Sequence, residues 1–258
     1  MAGLTLIQDY SSGSDEDPEI LNDEDKAFLN TETLKPKLPL PESILTWKGV
    51  THHEEIVDDP LEHDGRIRSF KHERGNWATL VYIDYIPSEE MQLWMKEVLD
   101  QITQTGNIFQ EFHVSLTRTL VLKFHWIDSF IEAVKSLTAS YQSFVLELGN
   151  MEIYSNEEKT RTFIGIKIQS ANDSLQRLTG ALDKLLDEYQ LPSFYEDASY
   201  HISFLWFLGD QRKTLEALLP TFTSSFTDFL DDHPEQRSMQ VKKLKCKIGN
   251  KLYSLKLA

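Results

Sequence analysis

"EFHVSLTRT" (residues 111–119) and "YHISFLWFLGD" (residues 200–210) decide how this chain is read. Each wraps a histidine, with a serine two places later, in alternating apolar residues. Successive side chains of a β-strand leave opposite faces of the sheet. Phe112, Val114 and Leu116 therefore point one way, and His113, Ser115 and Thr117 the other. In the second stretch Tyr200, Ile202 and Phe204 oppose His201 and Ser203. Of the eight histidines (52, 53, 63, 72, 113, 125, 201 and 233), only His113 and His201 have Ser or Thr at +2. They stand 88 residues apart and can meet only by folding. One such strand reads as a half-buried histidine bonded to its neighbours. Two with the same offset and facing point to a shared site.

Working outward, "NWATLVYIDYI" (76–86) is expected to be a buried strand. Pro87 and Ser88 open a helix with Met91, Trp94, Met95, Val98, Leu99 and Ile102 at helical spacing. The pattern then predicts a helix over 127–139, strands over 143–154 and 161–169, and a helix over 173–189. A further helix is expected over 211–219, then a helical stretch carrying Phe222, Phe226 and Phe229. "KLKCKIGNKLYSLKL" reads as two strands around Gly249-Asn250, a two-residue hairpin signal. Strands alternate with helices, yet hairpins also occur, so the fold class is α+β rather than a purely parallel sheet. A strand and helix precede each His-x-Ser strand and a helix follows it, which predicts two similar lobes.

The 258 residues are 40% apolar, with five Trp and fourteen Phe, enough for a well-filled core. A single cysteine, Cys246, excludes an internal disulfide and favours a reducing compartment. The N-terminus lacks a secretory signal, and no stretch approaches ~18 apolar residues, so no membrane is expected. The formal charge is −15, but it is segregated. Residues 1–40 hold nine acids against three lysines, and 52–64 add six acids. The last 22 residues hold Arg237 and six lysines (242, 243, 245, 247, 251 and 256) with no acid. A local basic face can coexist with a negative total. Residues 1–45, acidic and then Pro-rich, read as a disordered tail, with 46–258 as a single catalytic domain. "SGSDED" is also compatible with acidophilic phosphorylation.

The residue types suggest a reaction. Two imidazoles with ordinary pKa about 6.5 allow a neutral base and a protonated acid to coexist near neutral pH. Two hydroxyls can donate to a phosphate that gains charge in the transition state. That set suits transphosphorylation of RNA, in which a ribose 2′-hydroxyl attacks the adjacent phosphorus and a 2′,3′-cyclic phosphate results. The nucleophile is intramolecular, so no metal or other cofactor is expected. His52, His53, His63 and His72 lie among acids, but their spacings fit no zinc pattern. The lysines of 242–251 read as the outward face of a hairpin that guides the RNA backbone.

Paired His-x-Ser strands resemble those of the two-histidine (2H) phosphoesterases. "KHERGNWATLVY", "YSNEEKTRTFIG", "FYEDASYHISFLWFLGD" and "CKIGNKLYSL" resemble, more narrowly, the eukaryotic U6 small nuclear RNA phosphodiesterases, from Lys71 to Leu255. The resemblance implies a bilobal two-histidine phosphoesterase fold, its motifs facing across a central groove. It implies a nuclear, monomeric, metal-independent 3′-to-5′ exonuclease that trims the oligouridine 3′ end of U6 RNA. It makes His113 and His201 the catalytic pair, with His201 as base and His113 as acid. Ser115 and Ser203 then bind the phosphate, and Tyr195 stacks on the terminal base with Ser199 nearby. Glu157 falls where the family often has Gln, and a carboxylate cannot donate as an amide does. Two other readings stay open: a catalytically idle RNA-binding adaptor, and an enzyme that only opens pre-formed 2′,3′-cyclic ends.

Overall fold

The computed structural model describes residues 73–170 and 172–258, with Glu42 and Phe70 as isolated positions. The tail assigned to 1–45 and the histidine cluster at 52–72 otherwise lie outside the described residues. Two compact units divide the chain, Met1–Glu55 and Ile56–Ala258, and every element below belongs to the second.

The first half runs β1 (Asn76–Tyr85), α1 (Glu89–Asp100), β2 (Gly106–Ile108), β3 (Phe112–Ser115), β4 (Leu120–Lys123) and α2 (Ile127–Thr138). The second runs β5 (Phe144–Ser155), β6 (Arg161–Ile168), α3 (Asn172–Glu188), β7 (His201–Leu208), α4 (Arg212–Glu216) and α5 (Leu219–Asp232). It ends with β8 (Ser238–Val241), β9 (Lys243–Ile248) and β10 (Lys251–Lys256). The strands lie in the order β10-β9-β1-β3-β7-β6-β5-β8, with β4 beside β1 and β2 beside β7. Each pairing is antiparallel. The fold is α+β, as its pattern predicts. The two His-x-Ser strands meet where β3 joins β7 at one register pair, Val114 opposite Ile202.

Local chemistry explains the elements. Ser88 caps α1, its hydroxyl accepting from the Met91 amide at 3.1 Å, while Glu89 and Glu90 complement the positive helix end. Met91, Trp94, Met95 and Val98 then face inward. Trp94 packs against Phe204 and Phe226, with ring centroids 5.6 and 4.9 Å away. Its indole N–H donates to Ser225 Oγ at 3.0 Å, so its one polar atom is satisfied in the core. Gly249 turns the β9–β10 hairpin at φ +55°, and a Cβ there would run into the Trp77 ring, which excludes a side chain twice over.

The helix expected over 211–219 is α4 and stops early, at Glu216, and the helical stretch carrying Phe222, Phe226 and Phe229 is α5, which already begins at Leu219. Pro220 enters at the second position of α5, where no N–H is needed, and its ring would clash with the carbonyl of Glu216 in a continuous helix. The sequence pattern did not reveal the short strands β2, β4 and β8.

Candidate active site

The register at the seam assembles the site. Val114 and Ile202 pair and are fully buried. Antiparallel pairing then sets His113 beside Ser203 and Ser115 beside His201 on the opposite, open face. Cross-strand diagonal neighbours lie about 7–8 Å apart, a span that lets two imidazoles flank one phosphodiester. The His201 charge pushes the His113 pKa further down, which places both rings in one electrostatic field. Neither serine hydroxyl has a hydrogen-bond partner among the described residues, so both are open to a ligand.

A β-bulge shapes the second strand. Ile164 pairs with Leu205 but Gly165 with Ser203, which leaves Phe204 as the extra residue of β7. Alternation therefore holds through Ser203 and then breaks into the buried run Phe204, Leu205, Trp206 and Phe207.

His201 is tightly held. Its Nδ1 lies 2.7 Å from the Ser199 carbonyl, which can only accept, so Nδ1 carries the proton and Nε2 presents its lone pair. Its ring stacks on Tyr154, with centroids 3.6 Å apart and planes inclined by 12°. The Tyr154 hydroxyl lies 3.2 Å from both Glu152 Oε2 and Ser199 Oγ. A phenol has one proton, so it donates to the carboxylate and accepts from Ser199. Lys167 closes the chain at 2.7 Å from Glu152 Oε1. Gly165 forms the floor. A Cβ there would meet Tyr154 Cε2 at 3.1 Å and His201 Cδ2 at 3.3 Å.

His113 is held more loosely. Tyr82 sits beside it with ring centroids 5.1 Å apart and planes at 55°, and Asp84 is its cross-strand partner. Burial lowers the pKa of His113, with Glu111 and Asp84 opposing. Burial also lowers His201, against the Ser199 carbonyl and Glu152. A cleft of about 480 Å³ opens next to His113, lined by Tyr82, Asp84, Glu111 and Lys245 among others.

The remaining expected residues gather past His201. Tyr195 is 45% exposed, and the Arg118 guanidinium lies 4.0 Å above its ring centre. Glu157 Oε1 holds Arg118 Nη1 at 2.8 Å, so this carboxylate fixes the arginine that covers the tyrosine. Ser199, expected near a nucleotide, uses its carbonyl and hydroxyl to set His201 and Tyr154.

The family model described as "HVSL: Uncharacterised conserved protein" matches residues 38–256. His113, Val114, Ser115 and Leu116 spell that name. The rat protein "U6 snRNA phosphodiesterase 1" is 36% identical over 228 residues, spanning 86% of this chain and 84% of its own. The Drosophila melanogaster protein of the same name is 37% identical over 86% of this chain and 84% of its own. The human one is 34% identical over 86% and 85%. The chain belongs to the U6 snRNA phosphodiesterase family. A solved structure, Kluyveromyces marxianus Usb1, superposes with a TM-score of 0.49 at 16% identity over 69% of this chain and 97% of that one, too loosely to carry weight.

For this member of the family, the sequence reading missed Tyr154, Gly165, Glu152 and Lys167 behind His201, and Arg118 beside Tyr195. One signal was present. Gly165 interrupts the isoleucines of β6, and a glycine inside a strand marks a close approach.

Proposed function

We propose that this protein is an RNA 3′-to-5′ exonuclease of the phosphodiesterase type that trims the 3′ end of U6 snRNA, with terminal uridines as its substrate. The observation that carries this reading is the Val114–Ile202 register, which sets two histidines and two serines, the serines without partners among the described residues, on one face of the sheet. Relatives named U6 snRNA phosphodiesterase supply the substrate. His201 Nε2 takes the 2′-hydroxyl proton of the penultimate ribose, and the freed oxygen attacks the adjacent phosphorus. The bond to the 5′-oxygen of the terminal nucleoside breaks, and His113 gives that oxygen a proton. The retained RNA ends in a 2′,3′-cyclic phosphate, Ser115 and Ser203 having held the non-bridging oxygens. The locked Nδ1–H tautomer supports His201 as the base. Tyr195, gripped by Arg118, offers its other face to the terminal base, a stack worth about 1–3 kcal/mol. We infer that the enzyme works as a monomer in the nucleus.

The test is oligouridine RNA incubated with the full chain in EDTA, its products resolved by mass. Shortening with a cyclic terminus is the expected result, and His113→Ala and His201→Ala should each abolish it. Trimming by either variant at the wild-type rate would overturn the mechanism. RNA binding without shortening would identify an adaptor instead.

A further inference from the structure

We propose that Lys242, Lys243 and Lys256 form a phosphate track that carries the retained RNA away from the cleavage point. This deepens the nuclease reading and rests on it for the identity of the polyanion.

The lysines are an anomaly that folding alone does not explain. The chain has a formal charge of −15, so a cluster of lysines in a segment without acids stands out from the rest of it. Lys245 has one in Asp84 at 2.6 Å, and Lys247 has one in Glu111 at 2.9 Å. Lys242, Lys243 and Lys256 have none among the described residues. Lys243 and Lys256 moreover sit directly opposite each other in the β9–β10 ladder, an arrangement in which like charges destabilise a sheet. Lysine on an edge strand also blocks edge-to-edge pairing, and that accounts for Lys256 on β10. It does not account for Lys243, because β9 lies between β10 and β1. All three line a hollow of about 360 Å³, together with Ser143, Leu257 and Ala258.

Shared lining residues link that hollow to the neighbourhood of His113. It shares Lys242 and Lys243 with a larger hollow of about 750 Å³, which in turn shares Asp84 with the cleft beside His113. Asp84 is the cross-strand partner of His113. From the strand order, β9 lies three strand spacings from β7 and β10 four, roughly 15 and 20 Å. A short run of single-stranded nucleotides leading from the retained ribose at His201 therefore reaches these ammonium groups, each meeting a phosphate that neutralises it.

The test compares wild type with the triple variant Lys242→Gln, Lys243→Gln, Lys256→Gln on a long oligouridine and on the dinucleotide UpU. Trimming is followed over a salt series, and binding is measured with a 2′-deoxy oligouridine that cannot be cleaved. Each phosphate contact on a single strand adds about 0.7 to the slope of log affinity against log salt, so three contacts add about 2. Wild-type affinity for the long oligomer should therefore fall roughly 20-fold more than the variant's between about 50 and 200 mM salt. The dinucleotide, too short to reach the track, should be trimmed equally by both. Equal salt slopes, or equal damage with the dinucleotide, would overturn the proposal, as would a change confined to aggregation. If the triple variant misfolds, Lys243→Gln and Lys256→Gln alone should each lower the slope by about 0.7. Binding with the expected slope difference but no trimming would sink the nuclease reading and leave the track standing.

Discussion

At the residue scale, the two histidines are not equivalent. His201 has its proton placed by the Ser199 carbonyl and its ring clamped by Tyr154, whereas His113 has one tilted tyrosine beside it. A base that must present one nitrogen to a hydroxyl gains from such fixing, because misplacement lengthens the proton's path. Tyr154 is thus a positioning residue. Tyr154→Leu removes both the stack and the link to Ser199, and kcat should fall about 3- to 10-fold, the size of an aromatic pair of about 0.5–1.5 kcal/mol. Tyr154→Phe keeps the stack and should lose less. KM should hold in both, since the phosphate contacts are untouched. Gly165→Ala should mimic Tyr154→Leu, because its new methyl group presses on the tyrosine and the imidazole together. A rise in KM at constant kcat, read by steady-state kinetics on oligouridine, would place Tyr154 in substrate binding instead.

At the element scale, the two His-x-Ser strands were legible because each alternates for at least four residues with its polar positions in register. The floor of the site was not legible. Tyr154 reaches His201 from β5 across β6, and that neighbour relation depends on strand order, which periodicity does not encode. The β7 bulge was hidden for a related reason: "FLWF" reads as a plain apolar run, and only its partner reveals Phe204 as the extra residue. That residue ties the site to the core, since Phe204 packs on Trp94 of α1 and the Phe109 amide donates to its carbonyl at 3.0 Å. Trp94→Ala should therefore cost about 3–5 kcal/mol in urea unfolding and also lower kcat, because the bulge that positions His201 and Ser203 loses its backing. Trp94→Phe keeps most of the ring packing but strands Ser225 without its donor, and should cost less. A loss of stability from Trp94→Ala with kcat intact would show that the bulge holds without α1.

At the scale of the whole molecule, burying two histidines at the seam of a sheet couples folding to catalysis through pH. Both folded pKa values lie below the ordinary 6.5, chiefly from desolvation. Between 6.5 and those lower values the unfolded chain binds more protons than the folded one, so stability falls as pH drops through that window. Above 6.5 both rings are neutral in either state and this contribution is complete; below the folded values it has been lost and changes no further. The reaction needs one ring neutral and the other protonated, a population that peaks between the two lowered values. Activity is therefore favoured where stability is already declining. The free enzyme's kcat/KM on oligouridine should follow a bell with its maximum below pH 6.5, its limbs reporting the coupled pair rather than either residue alone. Urea unfolding at pH 7.5 and pH 5.5 should show wild type losing more stability than a His113→Asn, His201→Asn double variant, since asparagine does not titrate. A kcat/KM maximum above pH 7, or equal stability losses in the two proteins, would mean that these imidazoles do not carry the proton traffic.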